Sequence, residues 1–242
     1  MESWARPGRT SPWANERVAP LQAAGAFIPV VEESGGFKLG HQLHGTVFFV
    51  SDWGLFLTAA HVVQGIERAG VAILAGAGLL FMRVEEVCIH PDVDLAFGRV
   101  IIDPHHPTKI CPLAISATKF IPGEEAAILG YPHTVIGDER SGQTLGFTPD
   151  YFQGDVLDHQ SQGVGLARGS VYVTDITIPT GSGIKSLSGA SGGPLVTTGA
   201  VAVRGALCSA SEGYSICTDI EHALAWSDFR TVAGSSLSIV DA

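Results

Sequence analysis

Apolar residues in this chain come in short runs broken by turn formers, not in the long stripes of amphipathic helices. FIPVVEE (27–33), QLHGTVFFV (42–50), GLFLTAA (54–60), GVAILAG (70–76), LLFMRVEEVCI (79–89) and DLAFGRVII (94–102) each contain a β-strand bounded by Gly, Asp or Pro. A loop, DPHHPTKICPLAISATKFIPGEE, follows at 103–125. A second set comes after it: AAILGY, QTLGFTP, FQGDVLD, SVYVTDITI, GPLVTT, VRGALCS and YSICTD. The chain therefore divides into two β halves near residues 112–122. A helix closes the second half, with Thr218 and Glu221 set as a T-x-x-E capping box and Ile220, Ala223 and Leu224 on one face. The expected organisation is an N-terminal arm over 1–24, a first β unit over 25–115, a second with the helix over 116–230, and a loose tail of small residues over 231–242.

Composition agrees with an all-β class. Of 242 residues, 45% are apolar, 16% are charged and 30 are glycine, a mixture suited to short strands and tight turns. A formal charge of −10 with only 14 scattered Lys and Arg argues against a nucleic-acid partner. No apolar run reaches membrane-spanning length; the longest, VAILAGAGLLFM at 71–82, suits core strands. The N-terminus has mixed charge, prolines and no apolar block, so a cytoplasmic location with no membrane association is expected. Cys88, Cys111, Cys208 and Cys217 show no metal-ligand spacing and are expected as reduced thiols, with a Cys208–Cys217 pair across a hairpin as the alternative. His41, His44, His90, His105, His106, His133, His159 and His222 fall into no ligand grouping, so neither metal nor cofactor is expected.

Three local patterns carry candidate chemistry. LTAAHVV (57–63) puts His61 just after a strand, on a turn begun by small alanines. IHPDVDLA (89–96) puts Asp94 at a strand start between apolar neighbours, where a half-buried carboxylate needs a partner; Asp92 competes for the same role. LSGASGGPLV (187–196) sets Ser191 among glycines that let backbone N–H groups converge. A serine needs a neighbouring base to take its proton, histidine titrates in the useful range, and a carboxylate fixes the imidazole tautomer. GASGG also satisfies the G-x-S-x-G elbow of α/β-hydrolases, but that fold places its acid and histidine after the serine, and here only 51 residues remain.

With TAAH at 58–61, DLA at 94–96 and GASGGP at 189–194, in the order His, Asp, Ser, the chain resembles the chymotrypsin-like or trypsin-like serine peptidases, closest in style to bacterial members. HPDVD, GYP at 130–132 and VRGALCS add weaker echoes, and the likeness covers roughly residues 25–230. The resemblance implies two six-stranded antiparallel barrels with the site in the cleft between them. It implies His61, Asp94 and Ser191 as the triad, the amides of Gly189 and Ser191 as the oxyanion hole, and a protein or peptide substrate. Where many relatives carry Asp or Asn before the serine, this chain has Ala190, so activation through a newly cut N-terminus is not expected; loop packing or an activating protein partner must order the hole. Lys185, six before the serine, is the implied base of a substrate pocket and would favour acidic side chains. A protease-shaped binding module and a partner-activated peptidase remain the alternative functions.

Overall fold

The computed structural model describes residues 23–33, 36–40, 44–75, 78–103, 105, 109–132, 135–139, 142–146, 149–165, 167–177, 187, 189–198, 201–211 and 213–241. The first half contains β1 (Ala24–Glu33), β2 (Gly36–Leu39), β3 (Gly45–Phe49), β4 (Leu55–Thr58), the single turn α1 (Ala60–Val63), β5 (Ala69–Ala75), β6 (Gly78–Ile89) and β7 (Ala96–Val100). Strands run in the order β1, β3, β4, β7, β6, β5, and β5 pairs back to β1 through Ala26↔Ala72, which closes a six-stranded antiparallel barrel. The second half contains β8 (Ala114–Ser116), β9 (Glu125–Gly130), β10 (Val135–Glu139), β11 (Gly142–Gly146), β12 (Asp150–Gln160), β13 (Val171–Thr174), β14 (Pro194–Thr197), β15 (Ala202–Ser211), β16 (Tyr214–Asp219), α2 (Glu221–Ala225), α3 (Ser227–Ala233) and β17 (Ile239–Val240). Here the order β14, β9, β12, β13, β16, β15 closes through β14–β15 into a second six-stranded antiparallel barrel. β8 and β17 extend it in parallel, and β10–β11 form a separate hairpin.

The unbroken apolar runs follow from burial on two faces. In β3 and β4, Val47, Phe49 and Phe56 fill the first barrel, whereas Phe48, Leu55 and Leu57 point the other way into a core shared with Leu129, Val203, Trp226 and Phe229 of the second half. A strand with both faces covered gains nothing from polar alternation. The second barrel has its own interior of Phe120, Ile128, Phe152, Tyr172, Leu195 and Leu207. Each such large side chain contributes on the order of 1.5–3 kcal/mol of transfer free energy. Tyr131 ties the halves together, its hydroxyl donating to the Ala24 carbonyl at 2.8 Å.

The C-terminal region departs from expectation in three ways. The helix is two short helices, because the chain turns at Trp226. Thr218 does not cap α2: the amide of Glu221 donates to Oδ1 of Asp219 at 3.0 Å, and the Thr218 hydroxyl faces the carbonyl of Asp94 instead. Nor is the tail loose, since α3 continues to Ala233 and Ile239 and Val240 pair with Ile115 and Ser116. The QTLG of 143–146 lies in the β10–β11 hairpin, outside the barrel. No disulfide joins any of the four cysteines. Among the described residues, no helix is long and apolar enough to cross a membrane.

Candidate active site

His61 is placed by α1, whose Val62 and Val63 are buried as anchors while the histidine faces the surface. Asp94 ends the turn between β6 and β7. Its carboxylate grips His61 twice: Oδ1 accepts the His61 amide at 2.9 Å, and Oδ2 lies 2.8 Å from Nδ1. An ionised carboxylate only accepts, so the ring proton sits on Nδ1 and the Nε2 lone pair is left to act as a base. The Asp94 side chain is 19% exposed against 43% for His61, leaving the base reachable and its partner sheltered. Burial pushes the Asp94 carboxyl up, but hydrogen bonds from His61 and Cys208 outweigh it and hold its pKa below the usual range. Cys208 is the extra residue of a bulge in β15, between Leu207 and Ser209. Burial first, and the Asp94 charge second, push its thiol well up, so it faces Asp94 as a neutral donor.

The serine loop lies across the cleft, bound to the first barrel through its backbone. The Thr46 amide donates to the Ser191 carbonyl at 2.7 Å, and the Thr46 hydroxyl donates to the Gly189 carbonyl at 2.6 Å while accepting from the Tyr131 amide at 3.1 Å. Gly192 has φ +81°, and a Cβ there would lie 2.9 Å from the Ala59 nitrogen and closer still to Thr58, so only glycine lets the loop rest against the strand leading to His61. Within this loop the amides of Ala190, Gly192 and Gly193 donate to Leu187, Leu207 and Ala190. The amides of Gly189 and Ser191 have no acceptor among the described residues. The Ser191 hydroxyl makes no hydrogen bond to the His61 ring among the described residues, a looseness common before substrate binds.

Ala190 is fully buried in the second barrel. It packs on Gly130, where a Cβ would come 2.5 Å from its own. A carboxylate could not enter that space unpaired, so hydrophobic packing holds this side of the loop. Lys185 lies outside the described residues. The bonds to His61 come from Asp94 and not from Asp92, whose amide donates to Nδ1 of His90.

A second His, Ser and Asp set also meets in the second barrel, near the ends of β12 and β16 and just ahead of β13. His159 Nε2 lies 2.6 Å from Ser170 Oγ and 2.9 Å from Asp219 Oδ2. One ring nitrogen serves both partners, so this imidazole cannot hold a carboxylate on one nitrogen and activate a hydroxyl with the other. Ser170 and Asp219 are also buried. Lys119 bridges the group, 2.7 Å from Glu221 and 3.8 Å from Asp219, making a structural ion-pair network whose cation is an ammonium. From sequence alone His159, Tyr131 and Cys208 carry no role in the site, and neither Thr46 nor Lys119 is singled out, because the contacts that join these residues cross the chain and no local pattern announces them.

Several solved structures share the architecture. Deg5 superposes with a TM-score of 0.61 at 18% identity, covering 88% of this chain and 90% of its own. The inactive form of Rv3671c from M. tuberculosis H37Rv gives 0.53 at 20%, over 84% of each. The HtrA-type protease AlgW with a decapeptide gives 0.60 at 17%, over 90% of this chain and 65% of its own. No curated protein matches the chain. Residues 45–203 match the trypsin-like peptidase domain, a span that takes in TAAH, DLA and GASGGP: the chain belongs to the trypsin-like peptidase family and is a serine protease.

Proposed function

We propose that the chain is an endopeptidase working by acyl transfer through Ser191, His61 and Asp94. The double grip of Asp94 on His61 carries this reading, because it points a basic Nε2 outward in the cleft that the serine loop borders. Ser191 Oγ bonds to a peptide carbonyl carbon as its proton passes to His61 Nε2. The carbonyl oxygen, now an anion, is held by the amides of Gly189 and Ser191. Collapse breaks the C–N bond, and His61 returns the proton to the leaving amine. Water repeats the sequence on the acyl-enzyme, freeing Ser191. Loss of one oxyanion donor in such sites costs about 3 kcal/mol in the transition state.

The missing Ser191–His61 hydrogen bond favours a second version of the reading, in which a substrate or protein partner draws the serine into line. A fluorophosphonate probe tests both. Wild type should label and Ser191→Ala should not; labelling that needs added cell extract supports the partner-assisted version. A protein that never labels, or a Ser191→Ala variant that still does, refutes the assignment.

A further inference from the structure

The turn that carries Asp94 is folded around an imidazole. His90 Nδ1 faces the amides of Asp92 and Val93 at 3.1 and 3.3 Å. The amide of His90 donates to the Leu95 carbonyl at 2.9 Å, and that of Leu95 to the Val93 carbonyl at 2.8 Å. These four bonds bracket Asp94. A nitrogen accepting two N–H groups carries no proton, so the arrangement requires His90 neutral with its proton on Nε2.

The ring is held from the second half of the molecule. Its centroid lies 4.8 Å from Trp226 at 63° and 6.2 Å from His222 at 73°. His222 Nε2 in turn accepts the Ser170 amide at 2.8 Å. A Cβ on Gly169 would fall 2.7 Å from both His222 and Val93, so the two imidazoles, the acid turn and the entry to β13 form one packed joint. Among the described residues, the charged or titratable groups facing His90 are Asp92 on its own turn and His222 on α2. Burial, then His222, lower the pKa of His90, against a smaller opposing pull from Asp92.

We propose that His90 is a positioning residue for this peptidase: as a neutral acceptor it fixes the turn that holds Asp94 against His61, and on taking a proton it releases that turn. The reading rests on the proposed triad. It gives the enzyme an acid shut-off distinct from protonation of the catalytic base. With the folded pKa lowered, the brace is complete above the ordinary histidine value and is lost as pH falls through the lower one.

Two variants of the full chain separate positioning from folding. His90→Phe keeps a ring against Trp226 but has no acceptor, whereas His90→Asn offers a carbonyl to the same amides without titrating. For His90→Phe, fluorophosphonate labelling and kcat on a peptide mixture should fall on the order of 10–100-fold with KM unchanged. His90→Asn should restore most of the neutral-pH rate, and its acid limb should follow one proton where wild type follows two. A His90→Phe labelling rate equal to wild type, or the same two-proton limb in His90→Asn, overturns the proposal. If wild type shows no Ser191-dependent labelling, the peptidase reading fails first. Nitrogen NMR of the histidine rings then decides the positioning claim alone: the His61 Nδ1–H signal should weaken in His90→Phe and persist in His90→Asn, and an unchanged signal in His90→Phe sinks it.

Discussion

Replacing Gly130 with alanine tests whether packing alone holds the loop proposed to form the oxyanion hole. The new methyl would lie 2.5 Å from Ala190 Cβ and 2.7 Å from its Cα. Carbon atoms rest at about 3.5–4.0 Å, so something must move by roughly 1 Å. Strand β9 is the less able to move, being paired on one side to β12 through Gly130↔Asp150 and on the other to β14 through Leu195↔Ile128. The serine loop therefore shifts, and with it the amides of Gly189 and Ser191. Overpacking of this kind costs about 1–3 kcal/mol. At about 2–4 °C per kcal/mol for a chain of this size, Tm should drop by roughly 2–12 °C. A displacement near 1 Å at reacting groups costs on the order of 10²-fold in rate. Thermal melts and kcat, normalised to fluorophosphonate-labelled enzyme, measure the two effects separately. Adding Ala190→Gly removes one of the two clashing atoms, so the double variant should recover part of both losses. A Gly130→Ala enzyme with lowered Tm but wild-type kcat would show that the loop does not transmit the strain, and the packing account of the hole would fail.

Other perturbations follow from the same contacts. Thr46→Val removes the donor to the Gly189 carbonyl and the acceptor for the Tyr131 amide; each buried group left unpaired costs about 1–3 kcal/mol, so Tm and kcat should both fall, and an unchanged kcat would remove Thr46 from the site. Tyr131→Phe loses the bond to Ala24 that bridges the halves and should lower denaturant stability by about 1 kcal/mol without changing KM. Because the Asp94 carboxyl is held below its ordinary range, its contribution to stability is present above that range and lost as pH falls through the lower folded value. Acid titration of Tm should thus be flatter for Asp94→Asn than for wild type, and parallel curves would contradict the pairing.

Much of the fold was legible because its burial is two-sided. Runs such as VFF in β3 and LFL in β4 are unbroken since one face enters a barrel and the other the shared core, and that leaves no helical period to confuse them with strands. The tail was misread for the opposite reason. Residues 231–242 are mostly small, with Val232, Leu237, Ile239 and Val240 scattered among them, and β17 gains its order from a parallel pairing with β8, more than a hundred residues earlier, which no local pattern announces. The capping pattern at Thr218 is not realised: Ile220 occupies the N-cap, the Thr218 hydroxyl turns to the Asp94 carbonyl, and the Glu221 amide donates to Asp219 instead.

The site divides along the same line. The proposed triad of His61, Asp94 and Ser191 stands out because nucleophilic chemistry demands those residue types inside short, constrained motifs. The groups that tune them are ordinary residues recruited by three-dimensional contact. Thr46 is an unremarkable strand residue until the Gly189 carbonyl arrives from 143 positions away, and Cys208 is a bulged strand residue until Asp94 faces it. His90 falls into no ligand grouping, and its ring makes local hydrogen bonds; the consequence lies in which turn those bonds close. A motif thus specifies the reacting atoms, whereas the fold decides how firmly they are held. That is why variants at Gly130, Thr46 and His90 should change kcat although none of those side chains takes part in the chemistry.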